Sequence, residues 1–149
     1  MQYKFGLESV LQYRKRREDE AQREFAEAQR KMDEQLEVVN QMSDRVDEVR
    51  NEIGQLQAEK GAHIERIRQL ESFINGQKIR IENERAKARD LMQTAEEKRA
   101  HLVEVSQEKK ALEKLKERRR QKFVKEQKKK EQKRADDLIT MRFNGSNGQ

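Results

Sequence analysis

The two histidines are the side chains in this sequence best suited to hold a metal ion or to transfer protons. His63 and His101 lie far apart, neither belongs to an HExxH pattern, and the chain has no Cys to complete a zinc site. The serines have no histidine at nucleophile–base spacing and suit capping or solvent-facing positions: Ser9, Ser43, Ser72, Ser106 and Ser146. We therefore expect no catalytic residue, no cofactor and no metal, and hence no enzyme.

A basic run from Lys114 to Arg134 is the one segment whose chemistry points to a charged ligand. Clustered Lys and Arg bind phosphates by releasing counterions. Nucleic acid is disfavoured because this run follows the heptads described below, whereas a basic-zipper protein places its basic region before them. The run is also diluted by glutamates and offers only Phe123 for base stacking. An acidic protein surface is the favoured ligand; plain solvation, nucleic acid and an anionic membrane surface stay open.

The composition argues against a compact globular core. Charged residues make up 43% of the 149 residues and hydrophobic residues 32%, with no Trp. Disordered chains share this balance, but they usually contain Pro and scatter their apolar residues, whereas this sequence has no Pro and spaces its apolar residues regularly. Because it has no Cys, no signal-peptide-like start and no run of about 20 apolar residues, we expect a soluble, cytoplasmic protein.

Apolar residues recur at alternating steps of three and four, which is the pattern of a coiled coil. One series takes every seventh residue from Leu7 to Leu112, and the other takes every seventh residue from Leu11 to Leu102. Between them lie Glu, Lys, Arg and Gln, which favour helix and stay in water. A single helix cannot bury such a seam alone, so the chain must either dimerise or fold back on itself.

The position of a turn can be chosen from the residues that it would bring face to face. A turn near Gly61 pairs mostly apolar residues, such as Ile53 with Leu70. A turn at Asn75-Gly76, the stronger turn dipeptide, would instead bury charges, as in a pairing of Ile53 with Lys98. The sequence therefore predicts an all-α fold: a long antiparallel two-helix coiled coil, or helical hairpin, with its turn near Gly61.

The two predicted helices have unequal lengths. We expect helix one at about 7–57 and helix two at about 62–143, in a single domain over residues 1–143, with a disordered tail at 144–149. Beyond about Lys116 the second helix has no partner within the chain, so its C-terminal part overhangs. When free, the protein is expected to be a monomeric hairpin.

Both ends of the sequence carry a recognisable order of residues. At the start, Tyr3-Lys4-Phe5 is followed by Leu7-Glu8, Val10-Leu11 and an acidic, Ala-rich helix. Near the end, residues 110–118 and the stretch from Glu131 to Phe143 form a charged closing helix. This order, at these distances from the termini, resembles the flagellar export proteins of the FliJ type over nearly the whole chain.

The resemblance implies an architecture and a role. Proteins of this family are antiparallel two-helix coiled coils, similar to the central stalk of rotary ATPases, and they insert both chain ends into the pore of the hexameric flagellar export ATPase. They promote the assembly and activity of that ring, link it to the membrane export-gate protein, and interact with export chaperones. The protein is then expected in the cytoplasm, peripheral at the cytoplasmic face of the inner membrane.

The same resemblance gives two sets of candidate protein-binding residues. The set expected to contact the ATPase ring comprises Leu7, Leu11, Arg14, Lys116, Arg119, Phe123, Arg134, Leu138 and Phe143. The set that best matches the export-gate surface comprises Val39, Met42, Val46 and Phe73. Two other functions stay open: a self-associating structural coiled coil with parallel strands, and a basic tether that binds nucleic acid or lipid.

Overall fold

The chain forms two helices in the computed structural model, which describes residues 2–147. Helix α1 is Glu8–Ala58 and helix α2 is Ile64–Asn147, and residues 59–63 connect them. No strand occurs among the described residues. The absence of Pro and the abundance of Glu, Lys, Arg and Gln allow helices of this length. The all-α prediction is confirmed.

The buried residues follow the predicted seam. Thirteen apolar residues are buried, and twelve of them lie on the two heptad series, the exception being Phe5. The twelve are Leu11, Ala21, Ala28, Val39, Val46, Val49, Leu70, Ile74, Ile81, Ala88, Ala95 and Val105. Since the two helices bury these positions against each other, the chain is a coiled coil of the predicted hairpin type.

The chain divides into two compact units, each of which pairs a stretch of α1 with an antiparallel stretch of α2. Unit 1 comprises residues 2–19 and 104–147 of the described chain, and unit 2 comprises Glu20–Val103. The expectation of one domain over residues 1–143 stays a prediction.

Unit 2 contains an apolar core cluster. Its core cluster consists of Val39, Val46, Val49, Leu70, Ile74 and Ile81, with Met42, Ile53 and Leu56 packed against it. A hydrogen-bonded polar layer lies within the seam: Gln35 Nε2 donates hydrogen bonds to the backbone oxygen of Glu84, at 3.0 Å, and to its carboxylate. The hydrogen bond from Gln35 lowers the pKa of Glu84, and one from Lys87 lowers it further. A matched polar pair in an apolar seam favours one alignment of the two helices over others.

The turn lies where the pairing of apolar residues predicted it. Residues 59–63 leave the helical conformation, and Gly61 has a φ of 155°, a region that side chains with a Cβ rarely adopt. Gly76, in contrast, is an ordinary helical residue of α2 with open space where a Cβ would stand. The prediction of a turn near Gly61 is confirmed.

Alanine substitutions at these two glycines are expected to have opposite effects. Gly61→Ala should lower the free energy of unfolding by about 1–3 kcal/mol, because the backbone at the turn is strained for any residue with a Cβ. Gly76→Ala should raise it by about 0.5–1 kcal/mol, because alanine favours helix and the space is empty. Urea unfolding followed by circular dichroism measures both, and a shift of the same sign in the two variants would contradict the assignment of the turn.

Helix α2 runs past its predicted end at Phe143. It continues to Asn147, and Gly145 keeps a negative φ rather than stopping the helix. Ser146 Oγ donates a hydrogen bond of 3.0 Å to the backbone oxygen of Phe143 within this last turn. Glycine in a helix costs about 1 kcal/mol relative to alanine, which disfavours the conformation without forbidding it. Residues 148–149 of the predicted tail lie outside the described residues.

Candidate protein-binding surfaces

The residues before α1 form an extended segment that packs onto α2; we name residues 2–7 the N-terminal strap. The rings of Tyr3 and Phe123 lie 5.5 Å apart, and Phe5 is buried with the guanidinium of Arg119 at 5.7 Å from its ring centre. A turn at residues 6–7 ends the strap, since the backbone nitrogen of Glu8 donates to the oxygen of Phe5 at 3.2 Å. The strap extends the covered part of α2 as far as Phe123, beyond the predicted limit near Lys116.

Ion pairs join the helices of unit 1 at the polar positions of its seam. Lys116 Nζ lies 2.9 Å from the carboxylate of Glu8, and Lys109 Nζ donates to Glu18 Oε1 at 2.8 Å. The hydrogen bond from Lys109 lowers the pKa of Glu18, and a hydrogen bond from Ser106 adds to the effect. The same hydrogen bond raises the pKa of Lys109. Because this pair is the less exposed of the two, it is the stronger candidate for holding unit 1 closed.

The Glu18–Lys109 pair predicts a change in acid stability. The lowered pKa of Glu18 gives a stabilisation that is present above the ordinary value of 4.5 and is lost as the pH falls below it through the folded-state pKa. The raised pKa of Lys109 gives one that is present below 10.5 and lost only at higher pH. Glu18→Gln is therefore expected to lower stability by about 1 kcal/mol at neutral pH and to reduce the decline of Tm between about pH 5 and pH 3.

The matched control for Glu18→Gln is Glu20→Gln, because Glu20 is exposed and close by in sequence. Thermal melting at a series of pH values measures both variants. An acid-induced decline in Glu18→Gln as steep as in the wild type would contradict a contribution from this ion pair.

Beyond Phe123, α2 leaves the cover of the strap; we name residues 124–147 the overhang. Every residue from Lys128 to Ser146 is exposed. Its apolar side chains are well exposed, with Leu138 at 58%, Ile139 at 66%, Met141 at 70% and Phe143 at 65%. An unpaired helix that exposes large apolar side chains between charged ones is typical of a surface that binds a partner.

The nine residues expected to contact the ATPase ring all lie in unit 1. The structure places Arg134, Leu138 and Phe143 on the exposed overhang, and Arg119 and Phe123 beside the strap. Lys116 pairs with Glu8, and Arg14 lies 2.5 Å from the carboxylate of Glu108. Leu7 is half-buried, and Leu11 is only 1% exposed, so its side chain packs within the helix pair.

The four residues matched to the export-gate surface all lie in unit 2. Val39 and Val46 are buried in its core cluster, and Met42 is packed against that cluster. Phe73 is 36% exposed, and the guanidinium of Arg45 lies 6.0 Å from its ring centre. Of this set, Phe73 therefore offers the accessible ring, while the two valines support the helices from within.

The strap is the structural element that the heptad pattern did not predict. Tyr3 and Phe5 precede the first helix, so a search for helical periodicity assigns them no partner. One feature of the sequence does indicate a partner for this part of α2: the second apolar series continues at steps of seven to Lys109, Lys116 and Phe123. Each of these positions is matched from the N-terminal side, by a carboxylate for the lysines and by a ring for Phe123.

Residues 2–147 offer neither a cluster of metal ligands nor a membrane-spanning helix. No group of three or more His, Cys, Asp or Glu side chains within that range is placed to hold a metal ion. Within the same range, no helix combines the length and apolar character that a membrane span requires.

The geometry defines a class of protein: a two-helix coiled coil whose free surfaces, the overhang above all, suit the binding of other macromolecules. The family model described as Flagellar FliJ protein matches residues 3–148. The chain therefore belongs to the FliJ family, and the resemblance seen at its two ends is confirmed. It is a component of the flagellar protein export apparatus and has its partners there. The family consists of structural or chaperone-type flagellar components rather than known enzymes. No curated protein and no solved structure matches the chain.

Proposed function

We propose that this protein is the central stalk of the flagellar export ATPase, and that unit 1 enters the pore of the hexameric ring. The observation that carries the proposal is the overhang, an exposed helix that no other described residue of its unit covers. At a rise of 1.5 Å per residue, residues 128–146 span roughly 28 Å, which is long enough to reach into a ring of protein subunits. Its basic residues suit an acidic pore wall.

The overhang is apolar on one side and polar on the other, and this asymmetry is the basis of the proposed action on the ATPase ring. Leu138 and Ile139 share one side of the helix, whereas Asp137 and Thr140 share the other. A ring of identical subunits around such a helix meets unequal surfaces. The stalk thereby favours different conformations in different subunits and promotes turnover without performing chemistry itself.

Unit 2 is proposed to bind the membrane export-gate protein and the export chaperones. The accessible ring of Phe73 beside Arg45 supports this assignment, since an aromatic ring with a flanking guanidinium is a frequent anchor in protein interfaces. Through this contact the protein would work in the cytoplasm, at the face of the inner membrane.

The free protein is proposed to be a monomer. Its seam residues are already buried within the chain, so a second copy has little left to cover along the paired helices. Sedimentation equilibrium at several concentrations tests this. A stable dimer would instead favour the alternative function of a self-associating structural rod.

The stalk function is tested by adding the purified chain to the cognate export ATPase. We expect more hexamers in electron micrographs and faster ATP turnover, with saturation near one chain per ring. If neither assembly nor turnover changes at saturating concentrations of a chain that is helical by circular dichroism, the stalk proposal is wrong.

A further inference from the structure

We propose that the overhang also binds an anionic lipid surface directly, without the mediation of another protein. The inference goes beyond the stalk function and does not rest on it, because it concerns the chemistry of the overhang in the absence of any ring. Three features of unit 1 carry it: unpaired positive charge, an amphipathic tip, and the arrangement of charges around that tip.

The positive charge is concentrated and free. Residues 124–134 of the overhang contain six Lys or Arg side chains and two Glu, which leaves four net positive charges, and all six basic side chains are exposed. Within residues 2–147, ion pairs of the neighbouring part of α2 involve Lys116 and Arg120, and none involves these six side chains. Charges left without local partners are available to lipid phosphates, and juxtaposed Lys and Arg residues add to the attraction of an anionic leaflet.

The tip of the overhang is amphipathic. Ala135, Leu138, Ile139 and Arg142 recur at steps of three and four, so they share one face of α2. Leu138 and Ile139 are more than half exposed on this face. Arg142 can extend its guanidinium to the phosphate level while its stem lies against the acyl chains. A face of this kind fits the boundary between lipid headgroups and acyl chains.

An acidic residue of the tip, Asp137, lies on the opposite face. Asp137 and Thr140 are three residues apart and therefore share that side of the helix. Asn144 continues the same side at the next step of four. Asp137 therefore lies away from a surface that Leu138 and Ile139 contact. This separation favours a membrane over duplex DNA, which would gain nothing from the apolar side chains.

Vesicle flotation with the full-length chain tests the proposal. Vesicles of phosphatidylcholine mixed with phosphatidylglycerol are expected to bind the protein, and vesicles of phosphatidylcholine alone are not. Because each lysine near an anionic surface contributes roughly a fivefold change in affinity, Lys128→Gln, Lys129→Gln and Lys130→Gln together should weaken binding on the order of 100-fold. The matched control removes three exposed lysines of unit 2, by Lys31→Gln, Lys60→Gln and Lys78→Gln, and is expected to bind like the wild type.

A second variant separates lipid binding from general attraction to polyanions. Leu138→Ser with Ile139→Ser keeps every charge, and it should weaken vesicle binding at least about tenfold because the apolar side chains no longer enter the bilayer. Neither residue packs in the helix pair, so helicity should be retained. Equal binding to neutral vesicles, wild-type binding by the triple lysine variant, or wild-type binding by the serine variant would each overturn the proposal. Equally tight binding to duplex DNA that also depends on Lys128–Lys130 would overturn it in favour of a general polyanion site.

Discussion

Replacing Val39 by aspartate is expected to destabilise unit 2 strongly, with a loss of at least about 3–4 kcal/mol in the free energy of unfolding. Val39 is 7% exposed and belongs to the core cluster around Val46 and Ile74. A carboxylate at this position would lie in an apolar layer without a basic partner, and an unpaired buried charge costs several kcal/mol. Small proteins have about 5–15 kcal/mol of stability in total, so the variant should lose a large share of it and melt at least roughly 12 °C below the wild type.

The adjacent residue provides the matched control. Val38 is 41% exposed, so Val38→Asp introduces the same carboxylate one position away, into water. We expect a change within about 0.5 kcal/mol for this variant, which is the usual range for surface substitutions. Circular dichroism at increasing temperature measures both. Similar melting curves for the two variants would show that α1 does not bury the face we assign to it.

Substituting three exposed residues of the overhang is expected to abolish stimulation of the export ATPase at working concentrations. Arg134→Glu reverses a charge, and Leu138→Ser and Phe143→Ser remove apolar side chains that are more than half exposed. If each contributes about 1–2 kcal/mol to binding, the concentration for half-maximal stimulation should rise by at least a factor on the order of 100. The residues pack against nothing in unit 1, so the free protein should keep its helicity and Tm.

The control for this experiment carries the same kinds of change on unit 2. Arg68→Glu, Ile79→Ser and Met92→Ser alter one exposed basic residue and two exposed apolar residues there. This variant should stimulate the ATPase like the wild type. ATP turnover titrated with each protein measures the difference, and equal titration curves for the two triple variants would remove the overhang from the ring-binding surface.

The fold could be predicted from the sequence because one rule governs most of it. An apolar residue in a long helix must be covered, and the spacing of residues such as Val46 and Ile81 specifies which face is covered. The same rule located the turn, because only a turn near Gly61 keeps lysines such as Lys98 from facing isoleucine. The composition, which lacks Pro and is rich in Glu, Lys, Arg and Gln, favours helix as the regular structure.

The strap and the polar layers could not be predicted in this way. Tertiary contacts of Tyr3 and Phe5 with α2 stabilise the strap, and no local sequence pattern predicts such contacts. Lys109 and Lys116 interrupt the apolar pattern, so the sequence alone predicts that the coiled coil ends near them. Each lysine pairs with a carboxylate on the other helix and so belongs to the seam. Predicting these pairs requires knowing how the two helices are aligned.

For the candidate binding surfaces, the residues predicted from the sequence are of two kinds. Arg134 and Phe143 are exposed, whereas Leu11 and Val46 are buried. Periodicity finds the residues that pack, and those same residues are the ones most easily mistaken for contacts with a partner. Solvent exposure, which depends on where the second helix stops being covered, separates the two kinds.

The hydrogen-bonded layer of Gln35 and Glu84 limits sliding of the two helices of unit 2. A displacement by one heptad in either direction would keep apolar residues facing each other over most of the core. It would, however, carry Glu84 to the level of Ala28 or Met42, and neither side chain can donate a hydrogen bond to a carboxylate. Axial shear between the helices is therefore resisted by this single amide as well as by apolar packing, and unit 2 can carry a longitudinal load without changing its alignment.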